Sequence, residues 1–236
     1  MQLPFFYINE YDAAQKNIVL NEETSKHVVQ VLRMKVGENL QLTDGKGNLL
    51  TCSITDNNKK HCSVEIKEAR YRAQGTRTVS IAISLVKNVN RFEWFLEKAT
   101  EIGVSEIIPL ICERTEKEKF RYDRMLGICI SAMLQSQQVW LPVLHEPVKY
   151  ENMKIWKCED GQNFIAHCID DKKEELPHLH ISTSPHLLIC IGPEGDFTKA
   201  EIELALQNNF IPVSLGDTRL RTETAGIVAA TLLCHI

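Results

Sequence analysis

The sequence predicts an α/β protein with two domains, a small β-rich domain followed by a larger domain whose mostly parallel sheet is covered by helices. Up to about residue 70 apolar residues tend to recur at every second position, whereas after Thr78 apolar runs alternate with stretches of helical period. Between the two regions lies the charged segment 70–77, which lacks apolar periodicity. We therefore place the first domain at residues 1–73 and the second at residues 74–236.

The first domain consists of short strands separated by turn residues. Its predicted strands lie in the segments PFFYI, NIVL, ENLQLTDGKGNLLTCSIT and HCSVEIKEA. The third segment alternates apolar and polar residues on both sides of Asp44 and Gly45, a pair that favours hairpin turns. Asn21 precedes Glu22 and Glu23 and can cap a helix that begins there. This order predicts hairpins that close a small β-barrel.

The second domain alternates strands and helices. Its predicted strands are VSIAISLV, IIPLIC, NFIAHCI, HLLICIG and IPVSL. Its predicted helices are RFEWFLEKATEIG, the segment from about Arg121 to Val139, TKAEIELALQNN and TAGIVAATLLC. Parallel strands need crossover connections, so this alternation predicts a mostly parallel sheet between helices. Ligands of such open sheets bind at the carboxyl ends of the strands, so we expect the chemistry in the loops that follow the strands.

Composition excludes several classes of protein. Of the 236 residues, 44% are hydrophobic and 25% are charged, which is typical of a globular protein. The chain begins without the basic stretch and apolar run of a signal peptide, and no apolar run approaches the length of a membrane span. We therefore expect a cytoplasmic protein without a membrane segment. The eight cysteines form no CxxC pair, so we expect neither a disulfide framework nor a bound metal.

The charge of the chain is unevenly distributed. The formal net charge of −4 argues against a protein that coats nucleic acid through bulk electrostatics. Residues 1–77 nevertheless carry a net charge of +2, which leaves −6 on the rest of the chain. Any contact with nucleic acid should therefore involve the first third. The interleaved charges of CERTEKEKFRYDR are typical of a solvated loop and helix start, and we assign them no chemistry.

Three short segments fall in loops that follow predicted strands: GPEG at 192–195, LGD at 215–217 and LRTETA at 220–225. Alone, GPEG is typical of a β-turn with proline at its second position. Alone, LRTET is typical of a helix start, with Thr222 as the cap and Glu223 favoured by the helix dipole. Their occurrence together and in this order is more specific than any one of them.

Together, the segments IGPEGDFTKAEI, VSLG and RLRTETAGIVAA resemble the C-terminal signature of the ribosomal RNA small subunit methyltransferase E family. The resemblance extends upstream through HVVQVLRMKVGENLQLTDGKG and RFEWFLEKATEIGVSEIIPL, and so covers nearly the whole chain. It implies an N-terminal PUA-like β-barrel that binds RNA and a C-terminal domain with a trefoil knot. It also implies a homodimer that uses S-adenosylmethionine to methylate N3 of a uridine in 16S ribosomal RNA, within the small ribosomal subunit.

The resemblance implies that the cofactor site is built from the three loops. Its residues would be Ile191, Gly192, Gly195, Leu215, Gly216, Leu220, Arg221 and Thr222. Glycine at three of these positions permits tight turns and a close approach of the backbone to a ligand. Leu215 and Leu220 would supply apolar walls around the adenine.

Two residues are candidates for the catalytic role that the resemblance implies. N3 of uridine is a weakly acidic imide, so its methylation requires removal of a proton and stabilisation of the resulting negative charge. The guanidinium of Arg221 would favour the uridine anion and hold its carbonyl oxygens, whereas the carboxylate of Glu223 would act as a general base. The sequence favours Arg221 slightly, because helix capping explains Glu223 almost as well.

The expected RNA contacts are His27, Arg33, Lys35 and Arg219. The first three surround a helix-to-strand junction in HVVQVLRMKVGE, which without the resemblance is typical of an ordinary solvated face. Given the resemblance, Arg33 is the strongest candidate, because its planar fork of donors suits the recognition of phosphate.

Two residues depart from the family pattern. Asp196 stands where a second glycine is usual, and Thr218 stands where a basic residue is usual. These departures leave open a second hypothesis, a catalytically silent RNA-binding protein that keeps the knotted scaffold. A third hypothesis, a Rossmann-type nucleotide-binding enzyme, is disfavoured because GxGxxG and the P-loop signature are both missing from the βα turns.

Overall fold

The computed structural model describes residues 3–152, 157, 160–169, 173–176 and 185–235. Contacts between residues divide the chain into two compact units. The N-terminal unit comprises Met1–Gln74 together with Met133–Leu141, and the C-terminal unit comprises Gly75–Ala132 together with Pro142–Ile236. The domain boundary between residues 73 and 74 stays a prediction. The structure also shows that residues 133–141, from the middle of the chain, pack with the first unit.

The N-terminal unit contains one five-stranded sheet among its described residues. Its strands are β1 (Phe5–Tyr7), β2 (Asn17–Val19), β3 (Asn39–Thr43), β4 (Asn48–Asp56) and β5 (Ser63–Tyr71). They lie in the order β1-β3-β4-β5-β2. The antiparallel pair β3 and β4 is joined by the predicted turn at Asp44 and Gly45, and Thr43 faces Leu49 across it. All five strands overlap the predicted segments, and β5 continues two residues beyond HCSVEIKEA to Tyr71.

The core of the N-terminal unit comes from the alternating residues of β3, β4 and β5. Leu40, Leu42, Leu50 and Val64 are completely buried. Burial of one such side chain contributes about 1.5–3 kcal/mol to the free energy of unfolding, so these strands form the stable part of the unit. A short helix α1 (Glu22–Lys26) precedes them and continues as a π-helical turn over His27–Val31.

The predicted cap of α1 is confirmed. The Asn21 side chain accepts a hydrogen bond of 2.8 Å from the backbone N–H of Thr24. This bond satisfies one of the amides that the first turn of a helix leaves without an intrahelical partner.

The C-terminal unit is built on a parallel sheet. Its strands are β6 (Thr78–Ser84), β7 (Glu106–Ile111), β8 (Val143–Leu144), β9 (Val148–Lys149), β10 (Gln162–Ala166), β11 (Glu174–Glu175), β12 (His186–Ile191) and β13 (Ile211–Ser214). Within the described ranges they lie in the order β11-β13-β10-β12-β6-β7-β8, with β9 also paired to β7, and every pair is parallel. The predicted parallel sheet is thereby confirmed.

The sheet of the C-terminal unit is accompanied by four helices in the described part of the chain. They are α2 (Val89–Ile102), α3 (Tyr122–Gln135), α4 (Lys199–Gln207) and α5 (Thr222–Cys234). Helix α5 packs against α2 and β6 through Gly226, where an added Cβ would lie 2.7 Å from the Phe95 ring and 2.8 Å from Ile83 Cδ1. Glycine is required there because the two helices and the strand leave no room for a side chain.

The centre of the sheet is apolar. Ile81, Ile83 and Ile189 are completely buried, and Cys190, which is paired with Ala82 of the neighbouring strand, is buried as well. Burial raises the pKa of the Cys190 thiol, so this side chain stays protonated and behaves as a small apolar group. The seven cysteines of the described residues are all free thiols, and Cys158 lies outside those residues.

One predicted helix is shorter than the sequence indicates. Helix α3 ends at Gln135, whereas the apolar pattern predicts a helix as far as Val139. Gln137 adopts a left-handed backbone conformation with φ of 59°, which terminates the helix. The chain then pairs with the β3–β4 turn, where Gly47 N–H donates to Val139 O at 2.9 Å and Leu141 N–H donates to Gly45 O at 2.9 Å.

Two further features bear on the classes of protein considered above. Among the described residues, no helix is both long and apolar enough to cross a membrane. A search of the same residues for groups of three or more His, Cys, Asp or Glu side chains that could hold a metal ion finds none.

Candidate functional site

A cleft of about 380 Å³ opens at the carboxyl ends of β10, β12 and β13. Three neighbouring parallel strands end at this edge of the sheet, so the loops that follow them converge. The start of α5 completes the cleft through Thr222 and Ala225. This is the edge at which the sequence predicts the chemistry.

The loop after β12 forms one wall of the cleft, and Gly192 in this loop leaves little space for a side chain. A Cβ added at Gly192 would lie 3.0 Å from Phe197 Cδ2 and 3.1 Å from Phe197 N, and the Phe197 side chain is only 1% exposed. Neither atom belongs to the free end of a flexible side chain. The main chain at Gly192 therefore borders the cleft with no side chain of its own.

Asp196 joins two loops of the cleft. Its Oδ2 accepts a hydrogen bond of 2.8 Å from the N–H of Cys168, which follows β10, and its Oδ1 accepts one of 2.9 Å from the N–H of Phe197. Its backbone has φ of 63°, a conformation that asparagine and aspartate tolerate better than most residues. The aspartate that departs from the family pattern thus ties the loop after β10 to the loop after β12.

The loop after β13 turns sharply into the cleft wall. Gly216 has φ of 126°, which an L side chain rarely adopts. The Ser214 hydroxyl accepts from the N–H of Gly216 at 3.2 Å and donates to its carbonyl at 3.0 Å. Leu215 and Leu220 also line the cleft and supply apolar surface on this side.

The start of α5 differs in detail from the sequence-based expectation. The N-cap of the helix is Arg221, which makes no capping hydrogen bond with its side chain, and Thr222 is the first helical residue. The prediction that Thr222 caps the helix is therefore wrong. Its buried hydroxyl instead donates a hydrogen bond of 3.0 Å to Gly192 O, which fastens the helix to the loop after β12.

Replacing Thr222 by valine should loosen this connection. Valine keeps the shape of threonine but removes the donor, so Gly192 O loses its partner and the free energy of unfolding should fall by about 1–2 kcal/mol. Cofactor affinity measured by calorimetry should fall with it. Thr222→Ser keeps the hydroxyl and is the matched control; equal losses in both variants would show that the hydrogen bond is not what matters.

The two catalytic candidates occupy different environments. The Arg221 side chain is exposed at the entry to α5 and lies between Leu220 and Thr222, which both line the cleft. Glu223 is 6% exposed; its Oε1 lies 3.6 Å from Arg91 Nε, and its Oε2 has no hydrogen-bond partner among the described residues. Arg221 is therefore accessible to an incoming molecule, whereas Glu223 is held against α2.

The cleft brings together most of the residues that the sequence assigns to the cofactor. Those that line it are Ile191, Gly192, Leu215, Gly216, Leu220 and Thr222. Arg221 and Gly195 do not line it: Gly195 accepts a hydrogen bond of 2.6 Å from Arg114 Nη1, and an added Cβ there would meet only the Arg114 side chain. Whether Gly195 contributes to cofactor binding stays a prediction.

Sequence reasoning missed one wall of the cleft. Ala166, His167 and Cys168 at the end of β10 line it, as does Lys173, whose Nζ donates to His167 O at 2.9 Å and to Ile169 O at 2.7 Å. The strand NFIAHCI was predicted, and its position between two glycine-bearing loops could have indicated the first three residues. No motif or pattern in the sequence indicated that Lys173 lines the cleft.

The expected RNA contacts lie in both units. His27, Arg33 and Lys35 are exposed in the N-terminal unit, where His27 begins the π-helical turn and the other two follow it. Arg33 has φ of 56°, and the Lys35 N–H donates to the Glu38 carboxylate at 2.8 Å. Arg219 is exposed in the C-terminal unit and lines the cleft. These positions leave all four side chains accessible to a ligand.

The chemistry of the cleft fits S-adenosylmethionine. Glu194 and Asp217 line it, alongside the basic Lys173 and Arg219, so carboxylates are present for a ligand that carries an ammonium and a sulfonium. Leu215 and Leu220 offer apolar surface to an adenine, and the open main chain at Gly192 and Gly216 offers amides and carbonyls. The volume falls within the range of about 300–1,000 Å³ that is usual for sites of small ligands.

Comparisons with known proteins agree with this geometry. An RNA methyltransferase domain model matches residues 74–234, and an RNA methyltransferase PUA domain model matches residues 20–67. A ribosomal RNA small subunit methyltransferase E from Rickettsia conorii is 31% identical over 94% of this chain and 91% of its own length. The fold and the cleft thus define an RNA methyltransferase with a PUA domain.

Two solved structures are similar over almost their whole length. A probable rRNA-methyltransferase from Porphyromonas gingivalis has a TM-score of 0.89 and 34% identity, with 98% of each chain covered. A ribosomal RNA small subunit methyltransferase E from Neisseria gonorrhoeae, bound to S-adenosyl methionine, has a TM-score of 0.86 and 28% identity, with 97% of this chain and 95% of the other covered. The chain belongs to the ribosomal RNA small subunit methyltransferase E family, and the predicted enzyme class and cofactor are confirmed.

Proposed function

We propose that this enzyme transfers the methyl group of S-adenosylmethionine to N3 of a uridine in 16S ribosomal RNA, within the small ribosomal subunit. The observation that carries the proposal is the cleft at the carboxyl ends of β10, β12 and β13, in a chain whose relatives are named for small-subunit ribosomal RNA. The choice of N3 of uridine rests on the family resemblance and on the side chains at the start of α5.

The residues of the cleft would hold the cofactor in three ways. Leu215 and Leu220 would enclose the adenine, and the main chain at Gly192 and Gly216 would approach the ligand closely, because neither residue has a side chain. The carboxylate of Glu194 or Asp217 would attract its positive charges. When bound, S-adenosylmethionine supplies a methyl group on a positively charged sulfur, which makes that carbon susceptible to a nucleophile.

Arg221 is the residue we assign to charge stabilisation. N3 of the uridine must lose its proton to solvent before its lone pair can take the methyl group, and the negative charge then spreads onto the two neighbouring carbonyl oxygens. A guanidinium next to these oxygens favours the anion and fixes the plane of the base. The exposed position of Arg221 and its lack of a capping hydrogen bond support this role.

Glu223 is the second candidate, and its surroundings support a positioning role. Its carboxylate is buried beside Arg91 and does not line the cleft. It would hold the first turn of α2 against the first turn of α5 and so fix the direction in which Arg221 leaves the helix. A role as general base is the alternative, supported by the Oε2 atom that lacks a partner in the described part of the chain.

We assign substrate binding to the N-terminal unit as well as to the cleft. Arg33→Ala should weaken binding to small-subunit ribosomal RNA and reduce the salt slope of log K by about 0.7–0.9, because one phosphate contact is lost. Cofactor affinity should not change. Lys59→Ala removes one exposed positive charge elsewhere in the same unit and is the control. An Arg33→Ala protein that binds RNA like the control would remove Arg33 from the RNA site.

Three further expectations belong to this proposal. A homodimer is supported by the outer face of α5, where the apolar residues Ile227, Val228 and Leu232 are only half buried. A trefoil knot in the C-terminal unit is supported by family membership. A cytoplasmic location is supported by the proposed ribosomal RNA substrate.

Methyl transfer to ribosomal particles tests the proposal. The full-length protein and S-adenosylmethionine with a labelled methyl group are incubated with small subunits from a strain that lacks the enzyme. Label should enter the 16S ribosomal RNA, and it should not enter small subunits that already carry the modification. A protein that binds both cofactor and RNA but transfers no label would instead be the catalytically silent binding protein.

A further inference from the structure

A second cleft of about 570 Å³ lies in the C-terminal unit, between the segment that follows β6, the start of α2 and the segment that precedes α3. Its floor is apolar: Leu85, Val86, Phe92 and Met125 are each at most 5% exposed. Phe120 is partly exposed in its wall and meets Phe92 edge to face, with ring centroids 6.2 Å apart. The cleft therefore offers aromatic and aliphatic surface to a flat, apolar group.

The rim of the second cleft is strongly basic. Lys87, Lys117, Lys119 and Arg121 all line it and are all exposed, and none of its described lining residues is acidic. Lys87 forms a salt bridge of 2.7 Å with Glu116, whereas within the described ranges no salt bridge involves the other three. Residues 78–236 carry a net charge of −6, so the rim of this cleft is a local positive patch on a part of the chain that is acidic as a whole.

The second cleft adjoins the first. Strands β6 and β12 are parallel neighbours, so the segments that follow them leave the same edge of the sheet. The N–H of Lys87, which lines the second cleft, donates a hydrogen bond of 2.9 Å to the carboxylate of Glu194, which lines the first. A chain of nucleotides bound in the second cleft would thus lie close to the cofactor.

We propose that the second cleft binds a single-stranded segment of the RNA substrate that flanks the reacting uridine. A base would pack against Phe120 and the apolar floor, and the phosphates would contact Lys117, Lys119 and Arg121. This combination of an aromatic surface with a basic groove is how proteins hold single-stranded nucleic acid. The proposal rests on the proposed function, since it assigns a place to that enzyme's RNA.

The test compares two double variants of the full-length protein. Lys117→Ala with Lys119→Ala removes two cations of the rim, and Lys149→Ala with Lys199→Ala removes two exposed cations elsewhere in the same unit. Binding to unmodified 16S ribosomal RNA is titrated at several salt concentrations. The first variant should bind roughly tenfold more weakly at low salt, with a salt slope reduced by about 1.4–1.8, and the control should match the unchanged protein.

Two further measurements, together with the methylation of small subunits, separate the possible outcomes. Calorimetry should give both variants the cofactor affinity of the unchanged protein, and sedimentation should give both variants its oligomeric state.

If the rim variant and the control bind RNA equally while the unchanged protein methylates small subunits, the second-cleft proposal is wrong and the proposed function stands. If the rim variant instead loses its self-association and keeps its RNA affinity, the cleft is a contact between subunits and the proposal is also wrong. If the unchanged protein transfers no methyl group at all, it is the proposed function that fails.

Discussion

Replacing Arg221 by alanine should slow methyl transfer about 100- to 1,000-fold in single-turnover experiments with both substrates saturating. The reason is that a guanidinium next to the uridine carbonyl oxygens interacts most strongly once the N3 proton has left, so its loss affects the transition state more than binding. Cofactor affinity and RNA affinity should change little. Thermal stability should also be retained, because the Arg221 side chain makes no capping hydrogen bond.

Arg219→Ala is the matched control for Arg221. It removes an exposed arginine two positions away that does line the cleft, and it should weaken RNA binding while leaving the saturated rate nearly intact. Arg221→Lys should recover part of the rate, because it restores the charge without the planar fork. If Glu223→Gln abolishes transfer while Arg221→Ala does not, the general-base alternative is correct and the assignment to Arg221 is wrong.

Replacing Gly216 by alanine should weaken cofactor binding by at least about tenfold, equivalent to about 1.4 kcal/mol. Gly216 has φ of 126°, and no heavy atom lies within 4 Å of an added Cβ, so the penalty comes from the backbone and not from a clash. An alanine drives the residue toward negative φ, which shifts the loop after β13 and with it the wall formed by Leu215. Calorimetry with S-adenosylmethionine measures the effect.

Gly37→Ala provides an unusually close control for Gly216→Ala. Gly37 also has a positive φ, of 90°, with no heavy atom within 4 Å of an added Cβ, but it lies in the N-terminal unit. Both variants should lose a similar amount of stability, about 1 kcal/mol, and only Gly216→Ala should lose cofactor affinity. Equal cofactor affinities in the two variants would show that the loop after β13 does not bind the cofactor.

The strands of both units could be predicted because their burial follows from local pattern. The alternation around Asp44 and Gly45 fixes a hairpin, and an uninterrupted run such as LLICI is buried on both faces of a parallel sheet. The loops that follow such strands then lie at one edge, which is why six of the eight predicted cofactor residues line the cleft. The two-residue strands β8, β9 and β11 were not predicted, because pairs so short have no period.

The rest could not be predicted because it depends on contacts between distant residues. Helix α3 ends just before Gln137, whose left-handed backbone leads into the pairing of Val139 with Gly47, and no glycine or proline marks that end in the sequence. Glu223 could be explained as a helix-start residue until the structure placed Arg91 beside it. The charges of CERTEKEKFRYDR are predicted to be solvated, and Lys117 and Lys119 are exposed; their place beside the segment that follows β6 and the start of α2 could not be predicted from the sequence.

The position of the transferred methyl group tests the central claim most directly. Small subunits from a strain that lacks the enzyme are incubated with this protein and labelled S-adenosylmethionine, and the 16S ribosomal RNA is then digested to nucleosides and separated by mass spectrometry. The label should be found in 3-methyluridine and in no other nucleoside. Label on another base, or on the ribose, would contradict the proposed chemistry at the start of α5.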